Sequence, residues 1–118
     1  MKSFPMFIRT SGRRVVIVGD GEQAAQKARL ILKTDARIVI AATHPEPELW
    51  DLILNDRAQH HQGAITPALF KGAAMGFIAS GCPGIDASIH AIAQEAGCPV
   101  NVVDQPDLCD LTTPSLVD

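Results

Sequence analysis

Two short stretches of this 118-residue chain hold residues that could do chemistry. The first is Gly19-Asp20-Gly21-Glu22-Gln23-Ala24. Its spacing, G-x-G-x-x-A, suits a tight turn at Gly19, a bare backbone at Gly21 and close packing at Ala24. Main-chain N–H groups at such a turn can approach a phosphate. The second is Asn101-Val102-Val103-Asp104-Gln105-Pro106, where Asp104 offers a carboxylate able to accept a proton. A plainer reading stands beside each. The first is an ordinary glycine turn, and the second an Asp-x-Pro turn whose side chain bonds only its own backbone.

Which reading holds depends on the elements that carry these residues. Val15-Val16-Ile17-Val18 is a continuous β-branched run stopped by Gly19, the pattern of a buried central strand. The next residues predict a helix over 22–33, with Ala24, Ala28, Ile31 and Leu32 on one face. Lys27, Arg29 and Lys33 face elsewhere or close its last turn. Further along, the pattern predicts a strand over 37–41, a helix over 45–55 and at best an edge strand over 58–62. One helical turn follows at 66–70, opened by a Thr66 cap and Pro67. A strand over 74–80, a helix over 85–96 closed by Gly97 and a strand over 100–103 complete the series. No helix is expected after Pro106.

Strands alternating with helices make an α/β chain of stacked βαβ units. Right-handed crossovers then give a Rossmann-like, doubly wound parallel sheet of five strands in the order 3-2-1-4-5. The first and fourth strands become neighbours whose connections leave on opposite sides, and a ligand belongs in the crevice at their carboxyl ends. Gly19-Asp20-Gly21, Ser80-Gly81 and the residues after Val103 bound it. In this setting the glycine turn reads as a cradle for the pyrophosphate of a dinucleotide. The expected contacts are Gly19, Asp20, Gly21, Glu22, Gln23 and Ala24, with Thr43 after the second strand and Ser80 and Gly81 after the fourth. NAD is the expected cofactor, with NADP left open. The end of the second strand, Ala41-Ala42-Thr43-His44, offers neither an acid for the ribose 2′-OH nor an Arg for a 2′-phosphate, and Glu46 is the nearest acid.

Composition narrows the classes of partner. A net charge of -3 with scattered Lys and Arg leaves no basic stripe for nucleic acid. No apolar run reaches the roughly 20 residues that span a bilayer, and the N-terminus lacks a secretory stretch, so a cytoplasmic protein without a membrane partner is expected. Cys82, Cys98 and Cys109 form no C-x-x-C pair and read as free thiols. His60 and His61 adjoin on a strand and point to opposite faces, and neither His44 nor His90 has an i, i+4 partner, so no metal site is expected.

Val18-Gly19-Asp20-Gly21 with Ala24, Lys27, Ala28 and Leu32, then N-V-V-D-Q-P at 101–106 and Thr113-Pro114-Ser115, resembles the N-terminal domain of sirohaem (siroheme) synthases. The opening Phe4-Pro5-Met6-Phe7-Ile8 is also similar to that family's start. The family comprises precorrin-2 dehydrogenases, some of which also insert ferrous iron into sirohydrochlorin. The resemblance implies NAD-dependent dehydrogenation of a tetrapyrrole, with Asp104 as catalytic residue and Thr113 and Ser115 near the substrate cleft. In the members that also act as chelatases, ferrous iron is a further substrate. The resemblance also implies a homodimeric full-length protein in which residues 1–118 form the dinucleotide-binding domain, without the family's dimerisation and helical domains, and are inactive alone. Three positions depart from the family pattern: Asp20 stands where Gly is usual, Gln26 where Arg is common, and Ala79-Ser80-Gly81-Cys82 where Ala-Thr-Asp/Asn is frequent. No basic cleft for a polycarboxylate is visible in the sequence. The rivals are a regulatory dinucleotide sensor without catalysis, and a Rossmann-like scaffold that binds no nucleotide.

Overall fold

The structure, a computed structural model, describes residues 4–113. Its central strand is β1 (Arg14–Val18), whose Val15, Val16 and Ile17 are wholly buried. A strand covered on both faces needs apolar side chains on both, and the β-branched run supplies them. The chain continues through α1 (Glu22–Ile31), β2 (Arg37–Ala41), α2 (Pro47–Leu54), β3 (Ala58–His61) and α3 (Pro67–Phe70). Then come β4 (Met75–Ile78), α4 (Pro83–Glu95), β5 (Val100–Val102) and a 3-10 turn at Pro106–Leu108. All four strand pairings are parallel and the order is β3-β2-β1-β4-β5, as the alternation of elements implied.

Side chains of alternate parity divide the core into two layers. One holds Val15, Ile17, Ile38, Ile40 and Phe77 under α1 and α2. The other holds Val16, Val18, Val39, Ile78 and Val100 under α3 and α4. The largest fully buried side chains belong to strands except Phe70 and Leu49, which plug the sheet from α3 and α2.

Several boundaries differ from the periodicity, each for a local reason. Helix α1 stops at Ile31 because the Thr34 hydroxyl donates to the Ile31 carbonyl at 2.7 Å. Helix α2 starts at Pro47, not Pro45, because Pro suits the first helical turn and Pro45 is buried ahead of it. Thr66 precedes α3 as expected, yet its hydroxyl makes no capping bond. Helix α4 starts earlier than expected, at Pro83, and Gly97 beyond its end takes a φ of 73°. Strand β5 ends at Val102 because the next residues turn: the Gln105 N–H donates to the Val102 carbonyl at 3.2 Å. The short turn at Pro106–Leu108 replaces the coil expected there.

Candidate active site

At the carboxyl end of β1 the two glycines of the turn have different duties. Gly19 has a φ of +144°, and a Cβ on it would lie 2.3 Å from the Ala79 carbonyl oxygen. Only hydrogen fits there, so Gly19 lets the end of β1 press against the end of β4. Ala24, wholly buried, completes this contact from α1. Gly21, at the start of α1, has extended backbone, and a Cβ there would meet nothing within 4 Å. That space lies open in front of the helix start, where no side chain caps the first N–H groups. The arrangement fits a dinucleotide: the free donors and the positive end of α1 would hold its pyrophosphate over Gly21.

The remaining expected contacts divide. Asp20 is exposed, and its carbonyl accepts the Glu46 N–H at 2.8 Å, fastening the turn to the loop after β2. Glu22 turns its carboxylate to Arg29, which also pairs with Glu48 at 2.8 Å. The hydrogen bond that Arg29 donates to Glu22 holds its guanidinium still higher than its usual range. Among the described residues Glu22, Glu46 and Glu48 are the one group of potential metal ligands whose atoms converge, and two of them are paired with Arg29. Thr43 lines a small hollow of about 70 Å³ with Ala42, His61, Gly63 and Ile65, at the ends of β2 and β3. The Ser80 N–H donates to Asp86 Oδ1 at 3.0 Å, and Gly81 next to it has a φ of 85°.

On the other side of α1 lies a larger cleft, about 340 Å³, lined by Lys27, Asn101, Asp104, Gln105, Cys109 and Thr112 among others. Asp104 sits at its rim with a φ of 62°. Few residues other than glycine adopt that region, and Asp is among those that do so most readily. Its carboxylate does not serve only its own turn: Oδ2 accepts from Gln23 Nε2 at 3.3 Å. The glycine turn and the N-V-V-D segment thus meet in one place. The far wall of the cleft is the segment after the 3-10 turn, which runs back along β5. Asn101 Nδ2 donates to the Leu111 carbonyl at 3.1 Å, and the Val100 N–H donates to Asp110 Oδ2 at 3.0 Å. Thr113 is reached by Lys27 Nζ at 3.4 Å. Ser115 lies outside the described residues.

Three residues that this geometry brings forward were not singled out as site residues from the sequence. Lys27, expected to face away from the core, instead places its ammonium 5.6 Å over the Phe77 ring and lines the cleft. The cleft therefore holds a cation where none was visible. Asp86, only 3 % exposed, braces the loop after β4. Asn101, 9 % exposed, fixes the return segment. For the last two a signal existed: a polar residue inside an apolar strand or at a helix start is buried only with a partner.

Comparisons with known proteins bear on the family and the fold. A family model for NAD(P)-binding proteins matches residues 6–115. The siroheme synthase of Nitrosomonas europaea is 34% identical over 119 residues, covering 100% of this chain and 25% of that protein. Siroheme synthase 2 of Halorhodospira halophila is 34% identical over 120 residues, and that of Aeromonas salmonicida 36% over 118. The chain spans about a quarter of the length of these curated relatives. Among solved structures, SirC, a precorrin-2 dehydrogenase, superposes with a TM-score of 0.82 at 14% identity, covering 98% of this chain and 57% of that one. That likeness shows the shared Rossmann-like fold. With the family match running from before β1 to beyond the cleft, the chain belongs to this family of NAD(P)-binding proteins.

Proposed function

We propose that this chain is the cofactor-binding part of a precorrin-2 dehydrogenase, which oxidises precorrin-2 to sirohydrochlorin with NAD in sirohaem synthesis. The observation that carries the reading is the meeting of Asp104 and Gln23 at the mouth of a cleft beside the glycine turn. The siroheme synthases among its relatives support the choice of substrate. When bound, the dinucleotide supplies an acceptor for a hydride. The protein's own residues do the rest. Gly21 and the start of α1 bind the pyrophosphate, and Asp104 takes the proton released as the new double bond forms. Gln23 donates to Asp104 Oδ2 and leaves the second carboxylate oxygen for the substrate. The same carboxylate is suited to receive pyrrole protons if ferrous iron is also a substrate. The reading takes the full-length protein as a cytoplasmic homodimer: the three cysteines are free, and Phe4, Met6 and Phe7 expose apolar surface of the kind an interface covers.

Asp104→Asn in the full-length protein is the test, because it keeps shape and removes the charge. General acid–base catalysis contributes roughly 10²–10⁴-fold, so sirohydrochlorin formation should fall by that order while NAD affinity is kept. A variant that oxidises precorrin-2 at the wild-type rate would leave Asp104 as a turn residue, whereas a wild type that binds NAD and oxidises no precorrin-2 would favour a dinucleotide sensor.

A further inference from the structure

Lys27 stands four residues after Gln23 on the same face of α1; Lys27 lines the cleft, and Gln23 reaches its rim by its bond to Asp104. Its ammonium is held on two sides. The buried Phe77 ring lies 5.6 Å beneath it and the Thr113 hydroxyl 3.4 Å beside it. Neither contact neutralises it. The ion pairs among the described residues join Arg29 to Glu22 and Glu48, and none of the described carboxylates lies within pairing distance of Lys27. Asp104 lines the same cleft, yet its bonded partner is Gln23.

A half-buried ammonium that rests on an aromatic face and lacks a counter-ion is poised for an anion entering from its open side. Lys27 is the cleft's one cation among the lining residues, and Asn101, Gln105 and Thr112 add polar groups around it. At about 340 Å³ the cleft is at the small end for ligand sites, too small to enclose a whole tetrapyrrole. What enters is an edge of the ligand.

We infer that Lys27 is a carboxylate anchor: it binds a carboxylate arm of the substrate and so sets the edge of the macrocycle presented to Asp104. The identity of the arm's owner rests on the function proposed above; the anion site itself rests on a cation with no carboxylate partner among the described residues. The other anion at hand is the dinucleotide pyrophosphate, and the experiment separates the two.

In the full-length protein, sirohydrochlorin binding is followed by fluorescence quenching and NAD binding by calorimetry, for wild type, Lys27→Met and Lys27→Arg. Methionine keeps the stem over Phe77 and removes the charge. Hydrogen bonds to charged groups contribute enough to change affinity by about tenfold or more. Lys27→Met should therefore bind sirohydrochlorin about tenfold or more weakly with NAD affinity unchanged, and Lys27→Arg should stay near wild type. Equal sirohydrochlorin affinities would overturn the anchor, and so would a loss confined to NAD, which would assign Lys27 to the pyrophosphate. Should Lys27→Met melt early, Lys27→Arg and salt decide: wild-type binding that weakens with added salt supports the anchor, and salt-independent binding overturns it. If wild type binds no tetrapyrrole, the proposed function falls and the anion site is judged with propane-1,2,3-tricarboxylate. Binding to wild type but not to Lys27→Met sustains it, and no difference removes it.

Discussion

Replacing the two glycines of the turn should separate folding from cofactor binding. In Gly19→Ala the new methyl would stand 2.3 Å from the Ala79 carbonyl oxygen and 2.9 Å from its carbon, both backbone atoms. Neither can move freely, because the Ala79 N–H is bonded to the Val18 carbonyl at 2.7 Å and the Gly19 N–H to the Ala41 carbonyl at 3.1 Å. A φ of +144° adds backbone strain of about 1–3 kcal/mol for a residue with a Cβ. Overpacking adds about 1–3 kcal/mol more. At roughly 3–6 °C per kcal/mol for a domain of this size, the melting temperature should fall by about 10 °C or more. Gly21→Val is the opposite case. Its φ of -110° suits a β-branched residue and its Cβ would meet nothing, so only the poorer helix cap counts and stability should fall by about 1 kcal/mol or less. The valine would nonetheless fill the space over the helix start and exclude the pyrophosphate. Scanning calorimetry gives the melting temperatures and titration calorimetry the NAD binding. Wild-type heats of NAD binding in Gly21→Val, or a wild-type melting temperature in Gly19→Ala, would refute the division of labour.

Other expectations can be checked in the same protein. Asp86→Ala should leave the Ser80 N–H without its acceptor and cost about 1–3 kcal/mol in urea unfolding, with Asp86→Asn costing less. Burial raises the Cys98 thiol from 9.0 to about 11. Its raised value means the fold favours the neutral form, so this contribution is complete below the unfolded value and is lost as pH climbs from about 9 to 11. Urea titrations across that window should show stability falling with pH, and Cys98→Ala should flatten the slope. A thiol reagent at pH 8 should modify the exposed Cys82 well before the buried Cys98.

The sheet was legible in the sequence because its signals are local. A β-branched run such as Val15–Val18 can be buried only as a central strand, and alternation with amphipathic helices leaves few right-handed topologies. The glycine turn was equally legible, since the constraints on Gly19 and Ala24 come from residues that any strand–turn–helix of this kind brings together. Its boundaries were less so: the ends of α1 and β5 depend on which carbonyl Thr34 and Gln105 find.

The site itself was decided by tertiary structure. Gln23 and Asp104 are 81 residues apart, and Lys27 and Thr113 are 86 apart. No periodicity reports such pairs. Lys27 reads as an outward residue on a helical wheel, because the wheel assumes that only the sheet lies beneath the helix. Among the described residues no helix covers β5 on the α1 side, and the returning segment after the 3-10 turn builds a second wall there, held by Asn101 and Asp110. That wall turns the flank of α1 into the side of a cleft, and a cation that would otherwise be solvated comes to face Asp104's side of the molecule. The sequence by itself determined the strands, their order and the glycine turn, since each follows from neighbours in the chain. That Gln23 reaches Asp104, and that the cleft holds a charge, followed only from packing, because both depend on groups that chain separation hides.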